Sequence, residues 1–369
     1  MRSFDAVVIG AGFTGSLAAV AAARGGARVL LVARNRTERP RDAAEVALLP
    51  WGSPRDIDMW APDLGSELRA AGARSVPLPE GLVTSAHTPG SQWGPDYPKV
   101  FSSTRQLLDT ALRANIAADQ GWYGEISIRE GTATGLVGSR HEITGIRAQF
   151  HDGDGAEQEV TARLVIDCSG HSSAASDWLT ALGHPPIRHT TLTPELLCTW
   201  RECELPGVSP HIVWTRSAVL APVENGKWVL AHTGEGRSRG PAEPLHLLDD
   251  RFLHINPAGS VGEPVEVRLP PRRIHHYAEE RGVWPRGFVV LGDAVATHHP
   301  LHGRSSEMAQ MAVEILHQEL SEGGIAHPTL AERTQAAVGY ACQQALDLSV
   351  KTPYLKGKFS RWMDWVRTH

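Results

Sequence analysis

Cysteine is scarce in this sequence, which has only four among its 369 residues and no pair at Cys-x-x-Cys spacing. Cys168, Cys198, Cys203 and Cys342 are therefore expected to be reduced thiols, and neither a disulfide framework nor a metal site is predicted from them. Hydrophobic runs are also short, since none approaches the roughly 18 residues that a membrane-spanning helix needs. The first predicted strand begins at Phe4 and leaves no room for a signal peptide. These absences predict a soluble, cytoplasmic protein.

Neither sign of charge dominates the chain, because 36 basic residues stand against 41 acidic ones and both are spread along its length. The resulting net charge of −5 argues against a protein that binds nucleic acid. A hydrophobic fraction of 41% with 21% charged residues is ordinary for a globular enzyme. The length is sufficient for two domains or one large bipartite fold.

The N-terminal stretch FDAVVIGAGFTGSLAAVAAAR has the pattern of a buried strand, a glycine turn and a helix. Gly10, Gly12 and Gly15 complete the spacing Gly-x-Gly-x-x-Gly. The first glycine suits a tight exit from the strand, the second a close approach of the backbone to a pyrophosphate, and the third close packing of helix on sheet. The positive N-terminus of the helix would face the phosphates. In this context the motif predicts dinucleotide binding.

An acidic residue usually ends the second strand of such a unit and binds the ribose hydroxyls, but here it is absent. The second strand is predicted over 27–33, and its last residue, Ala33, is followed by Arg34. An arginine at this place is compatible with a 2′-phosphate, with contact to an adenosine, or with a solvated side chain after a strand. The sequence leaves these three readings open.

The rest of the chain is read as an alternation of α/β and antiparallel β patterns. A separate lobe is expected where short β-type runs follow one another after 194. The predicted elements are an irregular stretch over 36–60, a short helix over 63–71, a loop or edge strand over 77–98, a helix over 102–118, an antiparallel meander over 125–163, strands over 163–168, 196–202, 211–216, 218–223 and 227–232, a partly helical break over 241–254, a buried strand within 287–294, a helix over 306–322 and a helical C-terminal segment.

Two further motifs follow the glycine turn in order. One is the segment 165–173, VIDCSGHSS, and the other is Gly292-Asp293-Ala294, followed by Pro300 and Gly303. Together with Arg105 in STRQLL, this ordered set resembles the FAD-dependent aromatic hydroxylase and epoxidase superfamily, relatives of polyprenyl-methoxyphenol hydroxylases and flavin-dependent halogenases. The resemblance covers roughly residues 4 to 320.

That resemblance implies an α/β fold, in which a Rossmann-like FAD-binding domain carries an inserted antiparallel-sheet substrate lobe and a C-terminal helical segment. It implies FAD as cofactor, NADPH or NADH as transient reductant, and monooxygenase chemistry on a hydrophobic small molecule, plausible in secondary metabolism. The expected domain limits are 1–75, 101–185 and 283–325 for the FAD-binding domain, 76–100 for a loop or edge segment near the lobe, 186–282 for the lobe, and 326–369 for C-terminal helices.

The resemblance also assigns cofactor contacts, and this sequence departs from several of them. Asp293 would bind the ribityl chain of FAD, Arg105 would reach the FAD, and Pro300 and Gly303 would line the flavin; the full set of expected contacts is Gly10, Gly12, Gly15, Arg34, Arg105, Gly292, Asp293, Pro300 and Gly303. The departures are Ala33 in place of the ribose-binding acid, His171 in place of an arginine, Ser305 in place of a second glycine, and Glu307 in a first helical turn. The carboxylate of Glu307 in that first turn would offset the positive end of the helix.

A histidine cluster follows the third motif and leaves a second chemistry open. His298, His299 and His302 could act as acid and base at neutral pH, with Glu307 orienting one of them. The alternatives to a monooxygenase are therefore a non-redox cyclase or isomerase on the same fold, or a non-catalytic ligand-binding protein. No metal site is predicted for the histidines, because no carboxylate or cysteine stands at a recognised partner spacing.

Overall fold

The computed structural model describes residues 4–34, 46–51, 57–77, 99–118, 123–153, 155–193, 195–205, 210, 212–214, 218–233, 263–269, 271–277, 284–297 and 304–351. Its strands are β1 (Ala6–Ile9), β2 (Val29–Ala33), β3 (Val46–Trp51), β4 (Arg74–Pro77), β5 (Lys99–Thr104), β6 (Ile126–Ser139), β7 (Glu142–Phe150), β8 (Glu157–Thr161), β9 (Leu164–Asp167), β10 (His189–Thr193), β11 (Leu196–Cys203), β12 (Val213–Trp214), β13 (Ala218–Pro222), β14 (Trp228–Thr233), β15 (Val265–Leu269), β16 (Arg272–His275) and β17 (Phe288–Val290). Its helices are α1 (Phe13–Arg24), α2 (Leu64–Ala70), α3 (Arg105–Ala117), α4 (Ala175–Ala181), α5 (Arg304–Gly323) and α6 (Leu330–Lys351).

Seven strands form the main sheet, in the order β17-β9-β1-β2-β6-β7-β8. The first five run parallel, and β7 and β8 continue antiparallel. All residues of β1 and β2 are buried apolar residues, as expected for parallel strands that are covered on both faces. Helix α1 covers one face and is itself buried nearly all round, which its alanine-rich sequence permits. The sheet confirms the predicted Rossmann-like α/β fold.

The predicted meander over 125–163 is confirmed, but its first strand has a second role. The beginning of β6 pairs in parallel with β2, from Ile126 beside Val29 to Glu130 beside Ala33. Its second half turns to pair antiparallel with β7. One long strand therefore joins the parallel and the antiparallel parts of the main sheet, which the period-two pattern alone did not reveal.

Five strands form the antiparallel sheet of the lobe, in the order β12-β13-β14-β11-β15. This confirms the strands predicted over 196–202, 218–223 and 227–232, while the partly helical stretch predicted over 241–254 lies outside the described residues. A separate pair, β10 and β16, is antiparallel, and Ile274 of β16 also bridges Ala296 beyond β17.

The prediction of an irregular stretch over 36–60 is wrong for part of that stretch. Residues 46–51 form β3, the edge strand of a three-stranded sheet in the order β3-β5-β4. Pro50 is acceptable there because an edge strand needs no ladder hydrogen bond from every residue. Side chains alternate along β3: Ala47 and Leu49 pack in the core of the main sheet, and Leu48 packs with Val76 in the core of the lobe.

The predicted helices are present, with shifted ends. The helix expected from residue 102 begins instead at Arg105, because 102–104 complete β5. The Thr104 hydroxyl accepts a hydrogen bond from Leu107 N at 3.2 Å and caps the helix. The helix expected over 306–322 spans Arg304–Gly323, and α6 forms the described part of the helical C-terminal segment. No helix among the described residues combines the length and apolarity needed to cross a membrane.

Candidate functional site

The carboxyl ends of β1, β2, β9 and β17 meet along one edge of the main sheet. After β1 the chain passes through α1 to β2 on one side, while β9 and β17 lie on the other side. This change of direction beside β1 is the place where open parallel sheets bind ligands. Glycine turns follow three of these strands, at Gly10, Gly170 and Gly292.

Gly10 and Gly15 are fixed by the backbone packing of the turn itself. Gly10 has φ +98°, and a Cβ there would lie 2.6 Å from the carbonyl oxygen of Cys168. A Cβ on Gly15 would lie 1.8 Å from the carbonyl oxygen of Gly10. A larger residue at Gly10 would therefore push the exit of β1 away from the loop after β9, and one at Gly15 would push α1 away from the exit of β1.

Gly12 is different, because its missing side chain points into open space. No atom of the described residues lies within 4 Å of a Cβ built on it, and its φ of −79° suits any residue. Gly12 is also the N-cap of α1, with no side-chain cap and no acidic residue in the first turn. The first amides of α1 and the positive end of its dipole thus face an open surface that is suited to an anion.

Asp293 follows β17 in a short 3-10 turn and lies close to groups from two other segments. Burial raises the pKa of the Asp293 carboxyl, while the charges of Arg105 and His171 lower it. Arg105 is the first residue of α3 and His171 lies in the short turn after β9, so charges from two distant segments of the chain act on this carboxylate. Gly292 carries φ +65°, and a Cβ there would lie 2.7 Å from the Thr14 hydroxyl.

The start of α3 is held from both sides. Arg105 Nε donates to Asp109 Oδ1 at 3.3 Å, and the carboxylate side chain is only 2% exposed. On the lobe side, the Thr104 amide donates to Glu224 Oε2 at 2.9 Å, and the Thr104 hydroxyl contacts the other oxygen of Glu224. These contacts hold the start of α3 against the lobe and fix the Arg105 side chain along the first turn of the helix.

Asp167 organises the loop that follows β9. Its buried carboxylate accepts hydrogen bonds from Ser169 N at 2.9 Å and from the Ser173 hydroxyl. Burial raises the pKa of Asp167, and these hydrogen bonds oppose the rise. The Ser173 hydroxyl in turn accepts from Ala175 N at 3.1 Å at the start of α4. The second motif therefore has a structural role in shaping this loop.

Arg34 reaches across the end of β1. It is exposed, directly follows β2, and its guanidinium donates to the Ser172 hydroxyl at 3.4 Å. Because β2 and β9 flank β1, this contact bridges the two sides of the glycine turn. Ala33, where an acid was expected, is 3% exposed and belongs to the core.

Several predicted site residues are not placed at this edge of the sheet by the structure. His298, His299, Pro300, His302 and Gly303 lie outside the described residues. Glu307 lies in the first turn of α5, as predicted, and is half-buried. Within the described part of the chain, no group of three or more histidine, cysteine, aspartate or glutamate side chains is arranged to hold a metal ion.

Two contributors to the site edge were missed or underrated by the sequence reasoning. His171 was noted only as a departure from an expected arginine, yet its charge acts on Asp293. The side-chain oxygen of Gln335 on α6 accepts a hydrogen bond from Val290 N at 2.8 Å, which satisfies a backbone donor of the edge strand β17. A glutamine on an amphipathic helix carries no signal that could have revealed this contact.

Sequence comparisons give related proteins of larger size. A family model described as "Glucose inhibited division protein A" matches residues 5–50. Protein Rv3254 of Mycobacterium tuberculosis is 25% identical over 317 residues, covering 78% of this chain and 65% of the relative. Squalene epoxidase 3 of Arabidopsis thaliana is 24% identical over 338 residues, covering 86% of this chain and 60% of the relative. The chain thus spans less than two thirds of the length of either relative.

Solved structures share the fold over most of the chain. PqsL, a probable FAD-dependent monooxygenase from Pseudomonas aeruginosa, superposes with a TM-score of 0.66 at 17% identity, covering 94% of both chains. The Diels-Alderase PyrE3 of pyrroindomycin biosynthesis superposes with a TM-score of 0.61 at 14% identity, covering 93% of this chain and 73% of that one. These superpositions show that the chain has the same fold as PqsL and PyrE3.

Proposed function

We propose that the chain binds FAD at the carboxyl edge of the main sheet and is an FAD-dependent oxidoreductase of the monooxygenase type. The proposed substrate is a hydrophobic small molecule, plausibly one of secondary metabolism, and the proposed reductant is NADPH or NADH. The observation that carries the proposal is the open surface at Gly12, the N-cap of α1, where an added Cβ would meet no atom of the described residues within 4 Å.

The residues at this edge fit a dinucleotide in their chemistry. The amides after Gly12 would receive the pyrophosphate, since a helix N-terminus stabilises negative charge. Arg34, which bridges the two sides of the turn, would lie over the adenosine. Asp293 and Arg105 would hold the ribityl chain, with the carboxylate accepting hydrogen bonds from its hydroxyl groups.

Bound FAD would supply the oxygen-transfer chemistry. The protein's own task is then to bind, orient and exclude water. Arg105 and His171 favour the ionised form of Asp293, which can accept hydrogen bonds, against the opposing effect of burial. The contact of Glu224 with Thr104 keeps the start of α3 beside the lobe, so that cofactor-side and substrate-side groups are held together.

One observation favours a second candidate function. Glu307 lies in the first turn of α5, where its charge offsets the positive helix end that would stabilise a reduced flavin. A protein with weakened flavin contacts could instead be a non-redox cyclase or isomerase that uses His298, His299 or His302 as acid and base. One structural neighbour, PyrE3, is described as a Diels-Alderase.

The visible spectrum of the purified full-length protein, before and after added FAD and desalting, separates these functions. The proposed function predicts retained flavin bands, and then oxygen consumption that depends on NADPH or NADH. A protein that stays colourless with added FAD would contradict it. Turnover without any redox cofactor that is lost in His299→Ala or His302→Ala would support the second candidate.

A further inference from the structure

The two faces of the lobe sheet differ in character. One face, formed by Cys198, Trp200, Val229 and Ala231 among others, packs in an apolar core together with Leu48 of β3. This face is filled by the protein itself. The opposite face carries polar groups; it is exposed at Leu197, Glu266 and Arg268 and buried at its other described residues. We call its buried part the arginine face, and its residues are Thr199, Arg201, Cys203, Leu220, Trp228 and Leu230.

Arg201 lies at the centre of the arginine face. It is 6% exposed, and its Nε is buried without a hydrogen-bond partner. Its cross-strand neighbour is Leu230, which is fully buried. Within the described residues no carboxylate forms an ion pair with Arg201. The adjacent Glu202 points to the other side of the strand and binds Lys227 Nζ at 2.6 Å.

Glu266 of β15 lies on the same side of the sheet, opposite Thr199 and diagonal to Arg201. Glu266 is exposed, whereas Arg201 is buried. A buried guanidinium N–H without a hydrogen-bond partner, as at Arg201 Nε, is unfavourable, because it has lost its contact with water and gained no acceptor. Its planar set of N–H donors matches a carboxylate, which accepts two parallel hydrogen bonds.

We propose that Arg201 is a substrate-binding residue and that the substrate is an organic acid with one carboxylate on an apolar body. The carboxylate pairs with Arg201, with the hydroxyl of Thr199 two residues away on the same face. The apolar body lies against Leu230, Leu220 and the ring of Trp228. This assignment deepens the proposed function and rests on it for the role of the lobe in substrate binding.

Binding of matched acids and amides to the purified full-length protein tests the proposal without requiring turnover. The probes are 2-naphthoate with 2-naphthamide, and decanoate with decanamide, followed by calorimetry and by quenching of tryptophan fluorescence. We expect at least one acid to bind about tenfold or more tightly than its amide, as a charge-assisted hydrogen bond provides. Equal binding of acid and amide, or no binding of either acid, would overturn the proposal.

Substitutions test whether Arg201 is the residue that gives the preference for the acid over the amide. Arg201→Met should abolish the preference for the acid, and Arg201→Lys should keep part of it, because an ammonium retains charge but not the planar fork. Arg268→Met is the matched control, since this arginine lies on the neighbouring strand, is exposed and pairs with Glu195. It should bind both probes like the wild type. An Arg201→Met protein that still prefers the acid refutes the assignment.

Melting temperatures separate binding from a structural role. Without ligand, Arg201→Met should melt at or above the wild type, because it removes a buried charge whose Nε has no hydrogen-bond partner. A large fall in melting temperature for both Arg201→Met and Arg201→Lys would instead make Arg201 a structural residue and overturn the proposal. The flavin spectrum is recorded on the same samples: acid preference without flavin refutes the proposed function alone, and flavin without acid preference refutes the role of Arg201 alone.

Discussion

Replacing Gly12 by alanine is expected to weaken FAD binding while leaving the fold unchanged. The added methyl group meets no atom of the described residues within 4 Å, and the φ of −79° is suitable for alanine. At the N-cap, alanine is less favourable than glycine by about 0.5–1 kcal/mol. The smaller entropy of the unfolded chain returns about 0.4–1 kcal/mol. The free energy of unfolding should therefore stay close to that of the wild type.

The same methyl group would occupy the surface that the pyrophosphate needs. Inserting one carbon into a close-packed contact costs about 1–3 kcal/mol. This corresponds to a loss of FAD affinity of about 5-fold to 150-fold. Titration with FAD, followed by the change in flavin fluorescence, gives the dissociation constant, and a melting curve without FAD gives the stability.

Gly15→Ala is the matched comparison, because its methyl group would lie 1.8 Å from the carbonyl oxygen of Gly10. That variant should lose both FAD binding and stability, the latter by about 3 kcal/mol or more. If Gly12→Ala bound FAD with wild-type affinity, the pyrophosphate would not lie at Gly12. If it melted as low as Gly15→Ala, the surface would not be open, and either result would refute the reasoning.

Two further predictions concern the β17 edge and the pair of strands beside it. Gln335→Ala should lower the free energy of unfolding by about 1–3 kcal/mol, since it leaves the buried Val290 amide without its acceptor. Urea denaturation measures this change, and Gln343→Ala, on the exposed side of the same helix, is the control. Burial, then the nearby charge of His189, lowers the pKa of His275 from 6.5 to about 4. A histidine with a lowered pKa stabilises the fold above pH 6.5, and this contribution is lost as the pH falls from 6.5 towards 4. His275→Gln should therefore flatten the fall of the melting temperature between pH 7 and pH 5, and an unchanged pH profile would contradict this.

The glycine turn could be predicted from the sequence because its determinants are local. Strand, turn and helix are contiguous, and Gly10 and Gly15 are required by contacts within that unit or with the next strand. The convergence of Arg105 and Asp293 could be expected only through the resemblance, because those residues come from distant segments whose meeting depends on the whole sheet. No periodicity in the sequence contains that information.

Other features depend on what covers a strand, which its own residues do not show. The β3 strand was missed because Pro50 and its neighbours suggested a loop, while the alternation of Leu48 and Leu49 between two cores becomes evident only in the fold. The burial of Arg201 could not be predicted for a similar reason. An arginine in an alternating strand is typically exposed. Here the other face of the strand packs in the apolar core of the lobe, and the face that carries Arg201 is buried at this position as well.

The contact between Glu224 and Thr104 has a consequence for how the two proposed ligands would affect each other. Glu224 belongs to the lobe, and Thr104 precedes Arg105 at the cofactor edge. A shift of the lobe on filling the arginine face would therefore displace the first turn of α3. We expect substrate and FAD to bind with thermodynamic coupling, each changing the affinity of the other by the same factor. In Glu224→Gln, where the acceptor of the Thr104 amide loses its charge, that factor should move towards one.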